Sequence, residues 1–176
     1  MKFKNFIPAL IFLLLAWILV FVTDLEDNPN YYPTMIGKDV AEFETILLYN
    51  NGTLSSEELK NNTILNFWAS WCVACKAEHE YLMQMKEEGF PIYSINSGDK
   101  IDAAKEYLLH NGNAFIKTGI DPRRKLAFLM GVTGMPETFV IGKDGKIYFH
   151  HRGILTEDIV TKKIKPILDE LNKKDF

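Results

Sequence analysis

The sequence predicts an α/β domain on one mixed sheet, parallel in its first strands and antiparallel at its end, behind an amino-terminal membrane anchor. Three observations predict it. Apolar β-favouring runs alternate with segments of helical periodicity between residues 35 and 172. Gly142-Lys143-Asp144-Gly145 then joins two such runs directly, as a hairpin turn does. The two cysteines of the chain, Cys72 and Cys75, stand where a strand feeds the first turn of a helix.

The elements follow in order. Lys2 and Lys4 lie in a basic start, residues 1–5, ahead of an apolar run at 6–22 broken by Pro8. At 1.5 Å per residue that run spans about 25 Å, near the lower limit for crossing a bilayer. Asp24, Glu26 and Asp27 follow it, so the positive-inside rule keeps the amino terminus in the cytoplasm and exports the rest. A cleaved signal peptide has a shorter apolar region ending in a small-x-small site. Ile18-Leu19-Val20-Phe21-Val22-Thr23 offers none, so the reading is an uncleaved single-pass anchor. Residues 23–34, with Pro29 and Pro33, read as a linker. About 140 residues remain, enough for one domain with a real core. The formal net charge of −3 argues against nucleic acid as a partner.

Within the domain, residues 42–49 read as a strand and Asn50-Asn51-Gly52 as its turn. Ser55 and Glu58 form a capping box that opens a short helix. Residues 63–68 are a buried strand, and the helix beyond the cysteines runs through 77–88 to a stop at Gly89. A strand at 90–96 leads to a helix at 99–110, stopped by Asn111-Gly112, and 114–116 reads as a short strand. Asp121 as N-cap and Pro122 at the first helical position open a helix to Met130. Strands at 138–141 and 146–150 make the hairpin. Thr156 caps a last helix to Asn172, with a kink at Pro166, and 173–176 form a frayed tail. Asn51-Gly52-Thr53 and Asn61-Asn62-Thr63 match the glycosylation pattern but read simply as loop asparagines.

The chemistry is carried by Trp71-Cys72-Val73-Ala74-Cys75. Residues i and i+3 of a helical turn face each other and can form a disulfide, while the helix start favours a thiolate. Cys72 at the helix mouth is the expected nucleophile and Cys75 the resolving thiol. A fall in the Cys72 pKa from about 8.5 to about 7 raises its thiolate fraction about 16-fold, and lower nucleophilicity takes back about fivefold. Such tuning therefore matters more for redox poise than for speed. No cation separates the cysteines, which leans towards a reductant. A structural disulfide closing so short a loop has little value, and a four-ligand zinc site lacks a second cysteine pair.

Trp68-Ala69-Ser70-Trp71-Cys72-Val73-Ala74-Cys75, together with Gly134-Met135-Pro136-Glu137-Thr138-Phe139, resembles the thioredoxin superfamily. Adding Lys76-Ala77-Glu78-His79, Gly131-Val132-Thr133 and the anchor narrows the resemblance to the CcmG/DsbE thiol–disulfide oxidoreductases of cytochrome c maturation. It covers roughly residues 31–172 and implies a thioredoxin-like fold. It implies that Pro136 is a cis-proline and that the Met135 backbone holds an extended substrate segment by strand-like pairing. Trp71 is then the rim of the site, and Trp68 its wall or a core residue. Asn66 stands where many thioredoxins carry a buried aspartate; the resemblance places acids instead at Glu78 and Glu137, as pKa-tuning or proton-relay groups. For Glu78 the competing reading is a solvated helix face.

The resemblance further implies an exported dithiol on the periplasmic side of a bacterial cytoplasmic membrane. It would reduce the haem-binding cysteines of apocytochrome c without a bound cofactor, with a membrane thiol reductase as electron donor. Alternatives are a general reductase of other exported or copper-site proteins, or a non-catalytic copper or zinc carrier. The carrier would use Cys72, Cys75 and His79, the last lying one turn beyond Cys75. His150-His151 is a weaker ligand candidate, because adjacent strand residues face opposite ways. The segment 116–130 is a candidate for shaping specificity.

Overall fold

The computed structural model describes residues 7–26 and 35–173. The chain divides into two units, Met1–Thr34 and Met35–Phe176. In the first, α1 is a helix over Ile7–Glu26. Among the described residues no helix is long and apolar enough to cross a membrane. The basic start, most of the linker and all but Lys173 of the expected tail lie outside the described residues.

The second unit is a five-stranded mixed sheet with a two-stranded hairpin beside it. The strands are β1 (Glu44–Ile46), β2 (Thr53–Ser55), β3 (Thr63–Trp68), β4 (Ile92–Ser97), β5 (Thr118–Asp121), β6 (Glu137–Ile141) and β7 (Ile147–Arg152). The large sheet has the order β5-β4-β3-β6-β7. β3 pairs parallel with β4 and antiparallel with β6, which is the expected switch from parallel to antiparallel. Central β3 is buried at all six positions. Its side chains alternate between faces: Ile64 and Trp68 enter one core with Leu82, Met85 and Leu168, while Leu65 and Phe67 enter the other with Leu54, Met130 and Phe139. The helices are α2 (Val73–Glu87), α3 (Ile101–Asn111), α4 (Lys125–Leu129), α5 (Glu157–Ile159) and α6 (Lys165–Lys173).

Four expectations need correction. The strand expected at 42–49 is short, and its partner β2 follows directly because Asn50 Oδ1 accepts from the Gly52 N–H at 2.8 Å and tightens the turn. The capping box behind it forms, Glu58 accepting from the Ser55 N–H at 3.2 Å, but opens only a 3₁₀ turn over Ser56–Leu59. No strand forms at 114–116; β5 starts at Thr118, where parallel pairing with Ser94 begins. Asp121 is the last residue of β5 rather than an N-cap. Its carboxylate reaches inward to the Ser97 hydroxyl at 3.0 Å and the Ala127 N–H at 2.9 Å, so α4 opens three residues late, at Lys125. The final helix is capped by Thr156 as expected. It passes through a π-helical turn, Val160–Ile164, just before Pro166, whose missing N–H and ring displace the regular ladder.

Candidate active site

β3 delivers the chain to the Ala69-Ser70-Trp71 turn, and Asp99 fixes that turn. Its carboxylate accepts from the Ser70 N–H at 2.6 Å and the Ser70 hydroxyl at 2.9 Å, and from the Asn96 amide at 2.9 Å. The Trp71 indole N–H donates to the Gly98 carbonyl at 3.0 Å, which leaves the ring as an exposed rim. Trp68 is buried instead, stacked on Phe115 and donating to Ser94 Oγ at 3.2 Å, so it is core wall.

Cys72 caps α2 and forms a disulfide with Cys75, their Cα atoms 5.3 Å apart. The Cys75 N–H points at Cys72 Sγ from 3.1 Å. When the pair is reduced, that N–H and the helix start favour a Cys72 thiolate. The opposite influence comes from Met135, whose carbonyl oxygen lies 3.5 Å from Cys72 Sγ and can accept only from a thiol. The Met135–Pro136 peptide bond is cis.

Beneath the pair lies Glu78, one turn after Cys75 on the same helical face and 0 % exposed. It accepts from Asn66 Nδ2 at 2.8 Å and from the Leu155 N–H at 2.9 Å. Burial pushes its carboxyl up to about 7, against the opposing pull of these two bonds. The solvated-face reading of Glu78 is therefore wrong. Asn66, on β3, donates to this carboxyl, and the acid itself comes from α2. A nucleophile at the helix mouth beside the exposed Trp71, a resolving sulfur in the helix and a buried carboxyl that holds or releases a proton near neutrality are the parts needed for thiol–disulfide exchange.

Residues 36–165 match the family described as Redoxin. The chain belongs to that family. The thiol:disulfide interchange protein HelX of Rhodobacter capsulatus is 37 % identical over 146 residues, 81 % of this chain and 83 % of that protein. DsbE of Escherichia coli K12 is 33 % identical over 175 residues, 96 % of this chain and 95 % of that one. The solved structure of a DsbE-type thiol:disulfide interchange protein from Chlorobium tepidum superposes with a TM-score of 0.67 at 26 % identity, covering 77 % of this chain and 99 % of that one. This redoxin is a thiol–disulfide oxidoreductase of the DsbE type on a thioredoxin-like fold.

The other expected site residues of the redoxin are placed differently. Glu137 is buried, and its Oε1 accepts from the Thr133 N–H (2.7 Å), the Thr133 hydroxyl (2.8 Å) and the Gly134 N–H (3.0 Å). Its Oε2 accepts from His150 Nε2 at 2.7 Å. Burial alone would raise its pKa, but His150 and the Gly134 and Thr133 donors outweigh it and hold the carboxyl low. None of these bonds reaches a cysteine. Glu137 instead clamps the loop that presents Met135 to Cys72. His150 Nδ1 accepts from the Met35 N–H at 3.2 Å, so its proton sits on Nε2 and both ring nitrogens are engaged. His79 Nε2 donates to the Asn111 and Gly112 carbonyls at 3.2 and 3.1 Å, tying α2 to the end of α3. Among the described residues no group of three His, Cys, Asp or Glu is placed to hold a metal ion. Sequence reasoning missed the Asp99 staple. The available signal was Asn96-Ser97-Gly98-Asp99 at the end of a strand, a run whose short polar side chains bond nearby backbone.

Proposed function

We propose that the chain is held by residues 6–22 on the outer face of a bacterial cytoplasmic membrane. There it reduces disulfides of exported proteins, the apocytochrome c haem-binding pair foremost. The observation that carries a reductant role is Glu78, a buried carboxyl with its pKa at about 7, one turn below Cys75. In the reduced protein the Cys72 thiolate attacks one sulfur of the substrate disulfide and expels the other as a thiolate. Cys75 gives its proton to Glu78 and attacks Cys72 Sγ. The second substrate sulfur leaves as a thiolate and takes up the proton held on Glu78, and Cys72 and Cys75 end as the disulfide. A negative Glu78 also opposes a second charge on the thiols, which favours giving electrons away. Similarity to HelX and DsbE supports the exchange chemistry; the apolar run and its flanking charges support the anchor. Regeneration needs an incoming dithiol, which a membrane thiol reductase supplies in this reading.

A trapping experiment tests the substrate. Cys75→Ala, expressed as the full chain in cells, leaves Cys72 stalled as a mixed disulfide, and mass spectrometry of non-reducing gel bands identifies what it holds. Recovery of an apocytochrome c is the expected result. Adducts with other exported proteins alone would keep the reductase and discard the cytochrome substrate.

A further inference from the structure

Asp121 is tied inward at the end of β5, but the three residues after Pro122 are not. Arg123, Arg124 and Lys125 are consecutive exposed cations. Among the described residues no ion pair includes any of them. With Phe128 and Thr133 they line a cleft of about 580 Å³, and Phe128 is 86 % exposed.

Two of its lining residues, Arg124 and Thr133, lead towards the rim of the dithiol site. Arg124 has φ +58°, a left-handed conformation that residues other than glycine and asparagine adopt at a cost. Its side-chain stem lies over Gly98, where an added Cβ would come within 3.1 Å of Arg124 Cδ. Gly98 is the residue whose carbonyl holds the Trp71 indole. On the other side Thr133 leads through Gly134 to Met135, the residue facing Cys72 Sγ. A merely solvated charge run needs neither a strained arginine nor a concave wall two residues from Met135. The strain, the missing acids and the location together point to a ligand of opposite charge.

We propose that this cleft binds an acidic stretch of the protein segment whose disulfide exchanges with Cys72. Aspartate or glutamate side chains seat on Arg123, Arg124 and Lys125, and an apolar neighbour covers Phe128. The proposal rests on the exchange chemistry above and adds one property of its substrate. The chain as a whole carries a formal charge of −3, so long-range attraction favours basic segments. A preference for acidic ones would have to come from this local surface.

The test uses the reduced full chain and three cyclic disulfide peptides that differ only in four flanking residues, all acidic, all serine or all lysine. Tryptophan fluorescence follows the exchange in a stopped-flow instrument. At about 10 mM salt the acidic peptide should react at least roughly tenfold faster than the lysine peptide, and about 0.5 M salt should collapse the ratio towards one. The combined substitution Arg123→Gln, Arg124→Asn and Lys125→Gln should bring the low-salt ratio to within about twofold, asparagine being tolerant of the left-handed position. Because the ratio is taken within each protein, a partial loss of folding does not alter its meaning. Equal rates for the acidic and lysine peptides in the unmodified chain, with the serine peptide exchanging, overturn the cleft and leave the oxidoreductase standing. So does a ratio that survives the triple substitution. Failure of all three peptides to exchange removes both.

Discussion

Glu78 faces two N–H donors and has no exposed surface, so at neutral pH it lies between two bonded states. Asn66 supplies the means. Its Nδ2 donates to Glu78 and to Thr138 Oγ1, while its buried Oδ1 has no partner among the described residues. A half-turn of that amide presents the oxygen to Glu78, where a protonated carboxyl is the donor it lacks. The sign of the pH effect follows. The folded pKa of about 7 lies above the ordinary 4.5, so the folded chain keeps this proton longer than the unfolded chain. The contribution to stability is complete below about 4.5 and is lost as pH rises through about 7, a loss of about 3 kcal/mol. Burial depresses the His151 pKa and acts oppositely in part of this window, so the comparison must be between proteins. Denaturant unfolding of the oxidised chain and of Glu78→Gln at pH 5 and pH 8 should show the variant gaining about 2.5 kcal/mol on the parent over that range. A constant difference would mean that Glu78 titrates normally. Glu137 acts as a clamp on the Thr133–Gly134 loop. His150→Ala removes the donor to Glu137 and the acceptor of the Met35 N–H, and should cost about 2–3 kcal/mol in urea unfolding at pH 7. A cost below about 0.5 kcal/mol, the level of an ordinary surface change, would show that the clamp carries nothing.

At the scale of elements, β3, α2 and the β6–β7 hairpin were legible because their signals are local. Six buried positions in a row, helical periodicity closed by a glycine, and Gly142-Lys143-Asp144-Gly145 each name their own structure. The segment from 42 to 59 and the approach to α4 were not legible, because distant contacts decide them. The β1–β2 hairpin lies against β5 through Gly119: a Cβ there would sit 2.5 Å from Thr45 Cγ2 and 3.0 Å from Ile95 Cδ1. Nothing local in the sequence announces that crossing. Gly119→Ala should therefore destabilise the domain by about 1–3 kcal/mol in thermal or urea unfolding. Unchanged stability would mean that the hairpin sits loosely on β5. Asp121 misled for a related reason. Asp-Pro is a strong helix-opening signal, but burial against Ser97 and Ala127 took the side chain for the sheet end. In the candidate site the cysteines and Met135–Pro136 were readable from the motif. The difference between the two acids was not, since only packing shows that one accepts from Asn66 and the Leu155 N–H and the other from the Thr133–Gly134 loop.

At the scale of the whole molecule, we propose a redox domain carried on a tether and supplied with electrons from the membrane. The tether makes its own prediction: the full chain should sediment with membranes after alkaline wash, and removal of residues 1–26 should release an active domain. Recovery of the full chain in the soluble fraction would contradict the anchor. The most direct measurement concerns the dithiol itself. Reduced full-length protein is mixed with a disulfide peptide, quenched in acid at millisecond times, alkylated and mapped by mass spectrometry. The peptide should be found on Cys72 and be lost at a rate that rises with pH through about 7. In Glu78→Gln that pH dependence should disappear and the loss should slow by about 10²-fold, the lower end of what a positioned acid–base group contributes. Peptide found on Cys75, or an unchanged pH profile in Glu78→Gln, would contradict these roles for Cys72 and Glu78.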